Sequence, residues 1–417
     1  MYTRKRQRVR MHRQRRSRNK TRSRTTRRQS RRRYKKRSQR KQTQKKSRRK
    51  QIQTAGAGDT GELQSPVGGH IVTATGNFVK IWDSMTGRCL RTFGEHIGGV
   101  TSASFSPDGT HIVSASDDRT IKIWSVATGE CVKTLRGHMI EVSCARFSQD
   151  GTHIVSASWD HSVKIWSVGD DGKWSTGRCL RTFDGPDGHS NWVSCAVFSP
   201  DGTHIVSASD DQTVKIWSVG DDHTWSTGRC VRTLAGDSGI VNSASFSPDG
   251  LSIVSASNDK TVKIWRVGDD GKWENGKCVQ TLAGHSHAVF SVRFSPDGQF
   301  IVSAGWDQTV KIWNVDRGEC VGTLDGHGGR VNSVGFSPDG QFIVSASSDK
   351  TVKIWSVGDD HTWSKGKCVQ TIDNGSIVND VDYFDPIPRL LQRIHLLSLL
   401  TESGVSHEQC QAILRIK

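Results

Sequence analysis

The chain has 417 residues, with 59 Lys and Arg against 41 Asp and Glu, a formal charge of +18 and an apolar content of 34%. Residues 1 to 50 hold 27 of those cations and no acid, so this stretch stands at +27 and the remaining 367 residues at −9. The division confines any argument for a polyanionic partner to the tail, and no run of about 18 apolar residues is present to cross a bilayer as a helix.

Taken in chain order, residues 1–58 read as a disordered polybasic tail, because so few apolar side chains cannot offset the entropy of ordering. The first twenty residues lack the apolar stretch of a secretory signal. Arg15, Arg16, Arg27, Arg28, Arg31, Arg32, Arg33, Lys35, Lys36 and Arg37 are its densest cations. Their chemistry is phosphate neutralisation, steeply dependent on salt. With no Phe or Trp in the tail, stacking on bases has little to work with, and contact with RNA or DNA is expected to be non-specific. The stretch RRRYKKR also reads as a nuclear or nucleolar address, so tethering and targeting stand as two readings of one composition.

From residue 65 a repeat takes over. The tripeptide KIW recurs with Trp82, Trp124, Trp166, Trp217, Trp265, Trp313 and Trp355, spaced by 42, 42, 51, 48, 48 and 42 residues. One unit, residues 96–137, parses into VTSASF, HIVSAS, TIKIWSV and ECVKTL separated by SPDG, DDR and ATG turns. Four short strands per unit of about 42 residues is the pattern of a propeller blade. Seven of the ten cysteines recur at one place, Cys89, Cys131, Cys179, Cys230, Cys278, Cys320 and Cys368, and are expected to be packing positions. No CxxC occurs, so no zinc site is expected, and reduced thiols suggest an intracellular protein.

The GH before the first strand, SPDG after it and SASDDRTIKIW resemble the WD-repeat β-propeller family over about three-quarters of the chain, although only Trp82-Asp83 keeps the Trp-Asp pair itself. The resemblance implies an all-β, seven-bladed β-propeller over residues 65–385, acting as a non-catalytic scaffold with no cofactor. Closure needs a seventh innermost strand. Upstream of Ile71 the chain places Glu62 and Gln64 at the apolar positions, whereas IVNDVDYF lays Val378, Val381 and either Tyr383 or Phe384 over Val331, Val334 and Phe336. A hybrid blade is therefore expected, with Ile377 to Phe384 pairing with strands around Ile71, Val79 and Cys89, which removes both open edges.

Ser, His and Asp recur together as His96, Ser114, Asp118; His138, Ser156, Asp160; His189, Ser207, Asp211; His285, Ser303, Asp307; and His327, Ser345, Asp349. Five copies and no GxSxG elbow argue against nucleophilic catalysis. The resemblance implies instead a structural network running on to Trp124, Trp166, Trp217, Trp313 and Trp355. One unit has Asp237 in the His place, and the hybrid blade lacks both His and turn Asp, so a weakened seam is expected there.

The resemblance also implies partner docking on the face made by the GH loops and the turns between second and third strands. On that ring Trp159, Trp192, Phe290 and Trp306 stand where most copies are small or polar, and Glu141 and Arg330 are charged members. Four units carry long loops ending at Trp174, Trp225, Trp273 and Trp363, read as solvated decoration or a second, acidic docking surface without the ligand spacing of a calcium loop. Residues 386–417 read as a helical hairpin, with a stripe from Ile387 to Leu400 and a capping box from Ser406 to Gln409. The expected protein recruits partners on the propeller and holds nucleic acid with its tail, as a monomer or within a hetero-complex, with no small-molecule substrate. The rival is a nucleic-acid-condensing packaging protein.

Overall fold

The computed structural model describes residues 69–358 and 362–385, so the polybasic tail and the segment expected to form C-terminal helices lie outside the described residues. The described chain forms seven four-stranded antiparallel sheets, and none of its helices is long and apolar enough to cross a membrane. It begins with β1 (His70–Thr75), β2 (Phe78–Asp83) and β3 (Cys89–Phe93), then makes blade 2 from β4 (Val100–Phe105), β5 (His111–Ser116), β6 (Thr120–Ser125) and β7 (Cys131–Arg136). Blades 3 to 7 follow as β8 (Val142–Phe147) to β11 (Arg178–Phe183), β12 (Val193–Phe198) to β15 (Arg229–Ala235), β16 (Val241–Phe246) to β19 (Lys277–Ala283), β20 (Val289–Phe294) to β23 (Cys320–Leu324), and β24 (Val331–Phe336) to β27 (Lys367–Asp373).

The turns explain why the strands stop where they do. In SPDG, Ser106 Oγ donates to Asp108 and accepts from the His111 N–H, the same carboxylate accepts from the Thr110 N–H, and Gly109 takes the left-handed φ of +71°. Between second and third strands the left-handed position falls on Arg119, His161, Gln212, Lys260, Gln308 and Lys350. A side chain there costs about 1–2 kcal/mol, and the preceding Asp, which accepts from the N–H and hydroxyl of the following Thr or Ser, holds the turn nonetheless.

Blade 1 is the hybrid. β28 (Val378–Phe384) pairs antiparallel with β1, His70 opposite Phe384, Ile71 opposite Tyr383 and Thr73 opposite Val381, giving the order β28-β1-β2-β3. Tyr383 takes the place of Phe336, while Phe384 leans on Phe105 of blade 2 with ring centroids 5.3 Å apart. Val378 and Val381 close a buried cluster with Ile71, Trp82, Val344 and Ile354, and Ile81 and Val79 close another with Val100 and Trp124. The two ends of the described chain are thus held in one core.

Two expectations need correction. The seven repeat cysteines stand first or second in each outermost strand and are exposed or half-buried, each thiol lying over the carbonyl two residues on. Placement at a register shift next to the Trp, rather than packing, is what they share. Among the described residues the buried thiols are Cys144 and Cys195, on neighbouring innermost strands, with sulfurs 3.9 Å apart.

The long loops are likewise more than decoration. Trp174, Trp225, Trp273 and Trp363 are buried, each in a short 3-10 turn that packs on the outermost strand of the preceding blade. Trp225 meets Phe183 and Phe198 edge-on at 6.4 and 5.6 Å. The loops therefore buttress blade junctions. Trp225→Ala is expected to cost about 3–5 kcal/mol in chemical denaturation, the usual range for emptying a buried Trp site, whereas Trp306→Ala on the exposed rim is expected to change stability by less than about 1 kcal/mol.

Candidate docking face

The polar networks shape this face from below. In blade 2 the Trp124 indole N–H can only donate, so Ser114 Oγ accepts it at 2.8 Å and spends its own proton on His96 Nε2, also at 2.8 Å. The imidazole then carries its proton on Nδ1 and donates it to Asp118 at 2.9 Å. Four further blades repeat the chain at 2.7–2.9 Å through His138, Ser156, Asp160 and Trp166; His189, Ser207, Asp211 and Trp217; His285, Ser303, Asp307 and Trp313; and His327, Ser345, Asp349 and Trp355. All five serines are fully buried, so no substrate reaches these hydroxyls. Each Asp also accepts the N–H of the residue after the His, tying the GH loop to the neighbouring turn.

Burial pushes His96, His138, His189 and His327 below the ordinary imidazole value and keeps them neutral. Asp118, Asp160, Asp211 and Asp307 lie below the usual carboxylate range and Asp349 at about 2: burial opposes the shift, and hydrogen bonds from Thr or Ser, His and backbone overcome it. Both shifts act in one direction. A lowered imidazole gives stability that is present above about pH 6.5 and declines below it, and Asp349 gives stability that is present above about pH 4 and lost as the pH falls through about 2. Calorimetry at fixed salt should show a melting temperature falling from pH 7 to pH 3, and a rise between pH 6 and 4 would contradict the assignment.

Where the histidine is missing, the KIW lysine replaces it. In blade 5 Lys263 leaves the outer strand, where Lys122, Lys164 and Lys215 meet threonines, and bridges Asp237 at 2.8 Å and Asp259 at 3.0 Å. In the hybrid blade the His and the turn Asp are absent, and a different set of bonds stands in their place. Asn374 fills the His position, buried, and donates to Thr75 at 2.6 Å; Thr75 donates to the Ile377 carbonyl, and Lys80 to the Asn374 carbonyl. Each of these bonds joins the two ends of the described chain.

Around the channel, a side chain on the innermost strand commonly reaches the first carbonyl of the next: Thr101 to Val142, Ser143 to Val193, Asn242 to Val289, Asn332 to Val378 and Asn379 to Val100. Asp380 adds a buried ion pair. It meets Arg146 at 2.7 Å and accepts from Ser333 and the Ala103 N–H, which links the closing strand to blades 7, 3 and 2.

The rim itself follows a rule. The residue before each turn Asp stands next to the residue before the first strand of the following blade. Trp159 and Trp192 stack at this junction, with centroids 4.4 Å apart and planes 8° from parallel. Trp306 stands in the same relation to Arg330, whose guanidinium lies 6.0 Å from that ring and 5.6 Å from Phe290. Trp159, Trp192 and Trp306 are 36%, 42% and 55% exposed. The six rim residues singled out in the sequence therefore separate into two groups, Glu141 with the first pair and Phe290 and Arg330 with Trp306. Ile97, Met139, Ile140, Ile377 and Phe78 are also exposed on this side.

Fold and face define a WD-repeat propeller, a class that typically serves as a protein-interaction scaffold. The WD domain, G-beta repeat family matches residues 87–125, 129–167, 177–218, 228–266, 276–314 and 318–356, more than half of the chain, and the chain belongs to that family. The strands β28, β1 and β2 of the hybrid blade lie outside those stretches. Similar proteins include nuclear distribution protein PAC1 of Coccidioides posadasii, 30% identical over 189 residues covering 42% of this chain and 39% of the relative. Nuclear distribution protein PAC1-2 of Uncinocarpus reesii is 28% identical over 194 residues, 43% and 40% respectively. Nuclear distribution protein nudF 1 of Talaromyces marneffei is 42% identical over 59 residues, 14% and 11%. The chain thus spans two-fifths or less of the length of these relatives.

Proposed function

We propose that the propeller recruits protein partners on the face carrying Trp159, Trp192, Phe290 and Trp306, and that the cationic tail tethers the assembly to nucleic acid. The observation that carries the docking reading is segregation: most of the large apolar side chains exposed on the described surface sit on the GH-loop side, while the opposite turns offer Met85 and Leu251. Large exposed aromatics on a rigid ring are the residues that dominate interface energies. The Trp159–Trp192 stack is already formed, which limits the ordering cost of binding. Capture from cell extract tests this reading. Partners retained by the full chain and by Leu251→Ala should be lost from the Trp159→Ala/Trp192→Ala/Trp306→Ala chain; equal retention by all three chains rules the face out.

The tail reading rests on 27 cations without an acid in 50 residues. Filter binding of RNA and DNA across a salt series checks it. Retention is expected to fall steeply with salt and to vanish on deletion of residues 1–50. Retention that survives the deletion places the contact elsewhere, and no retention by the intact chain leaves targeting to the nucleus or nucleolus as the tail's role.

A further inference from the structure

The two aromatic groups of the rim occupy equivalent places but differ in charge. Reading across the junction of blades 6 and 7, the row is Ala288, Trp306, Arg330 and Ser348, joined by backbone bonds from Trp306 N–H to the Ala288 carbonyl and from Ser348 N–H to the Arg330 carbonyl. Here the chain supplies its own cation, Arg330, lying over the rings of Phe290 and Trp306. Across the junction of blades 3 and 4 the same bonds join Glu141, Trp159, Trp192 and Asp210, from Trp159 N–H to the Glu141 carbonyl and from Asp210 N–H to the Trp192 carbonyl. This row has a carboxylate at each end and a second indole in place of the arginine.

That charge is not answered within the described residues. Neither Glu141 nor Asp210 forms an ion pair there, and Asp210 accepts only the Ser194 hydroxyl at 3.1 Å. Asp117, one junction further round, is likewise without an ion pair and is held above the usual carboxylate range by burial and by the charge of Glu141. Burial also raises Asp210, with the adjacent Asp211 adding to it. A stacked indole pair presents an electron-rich face, attractive to a cation at roughly 0.5–2 kcal/mol depending on desolvation, and flanking carboxylates add charge-assisted hydrogen bonds.

We infer that the Glu141, Trp159, Trp192, Asp210 row receives a Lys or Arg side chain from an exposed segment of a protein partner, the contact that Arg330 makes internally at the equivalent junction. This rests on the docking reading above and adds the partner's chemistry to it. Small aromatic or acidic anchors fit less well: the row already stacks its own aromatics, and an acid would meet carboxylates on both sides.

The test is selection of a random peptide library on the full chain, on Trp159→Ala/Trp192→Ala, and on Glu141→Gln/Asp210→Asn, an isosteric change that keeps the rings. Peptides that bind the polybasic tail are set aside by scoring only those whose enrichment is lost on the double alanine chain. A melting curve matching the parent shows that this chain is folded. Among the scored peptides, Lys or Arg is expected at one fixed position, and the amide variant should lower their enrichment by about tenfold. Tryptophan-dependent peptides that are neutral or acidic, or basic ones indifferent to Glu141→Gln/Asp210→Asn, overturn the inference while leaving the docking face standing. A selection that yields no tryptophan-dependent peptide overturns both.

Discussion

A chain ending at Asn374 should lose its cooperative melting transition and associate in solution, measured against a chain ending at Asp385. The deletion removes β28, and with it the buried Val378 and Val381, the pairing along β1 and the Phe384 contact with Phe105. Burial of each Val contributes about 1.5–3 kcal/mol, and the backbone bonds of the strand add about 1 kcal/mol each. The sum is of the order of a domain's whole stability. What remains would be an open array whose β1 edge offers unpaired N–H and C=O groups to a second copy. Light scattering after size exclusion and calorimetry report both effects, and an unchanged monomer with an unchanged transition would contradict the clasp.

Asp380→Ala is the second large effect. It leaves Arg146 buried without its carboxylate and frees the Ser333 hydroxyl and the Ala103 N–H at once. Breaking a buried pair from one side costs about 3–5 kcal/mol, which urea unfolding resolves easily. The pair itself need not be stabilising. Blades 2, 5, 6 and 7 carry serine where the closing strand has Asp380, at Ser102, Ser243, Ser291 and Ser333, and blade 4 carries Val197 at the Arg146 position. Asp380→Ser combined with Arg146→Val is therefore expected to recover most of the loss, and a double variant as unstable as Asp380→Ala would show that the closing strand depends on those atoms for some other reason.

Much of this was legible in the sequence because the repeat compares the protein with itself. Seven KIW units set the number of blades, and the orphaned IVNDVDYF could be assigned because its valines fall on those of RVNSVGF. Its acids were the part that comparison could not interpret. Asp380 matches no first-strand residue in the other blades, and its partner Arg146 lies 234 positions away, a pairing that only ring closure creates. The same limit explains the seam. Absence of His and Asp was visible, but substitution by Asn374 and Lys80 was not, since each lies in a different half of a blade split between the chain ends. The loop tryptophans differ for the opposite reason: the exposed acids of GDD point to solvent, while the Trp at the end of each loop is buried across the junction. On the rim, residue types singled out Trp159, Trp192, Trp306 and Arg330, whereas stacking between successive blades depends on the ring.

The measurement that bears most directly on the whole account is site-specific photocrosslinking in cells, with a photoreactive phenylalanine analogue placed singly at Trp306, at Ile97 and, on the opposite face, at Leu251. All three are exposed, at 55%, 81% and 49%, so accessibility alone does not separate them. Discrete adducts with the same partner are expected from Trp306 and Ile97, and none with that partner from Leu251. Adducts from Leu251 without any from the aromatic side would contradict the docking reading.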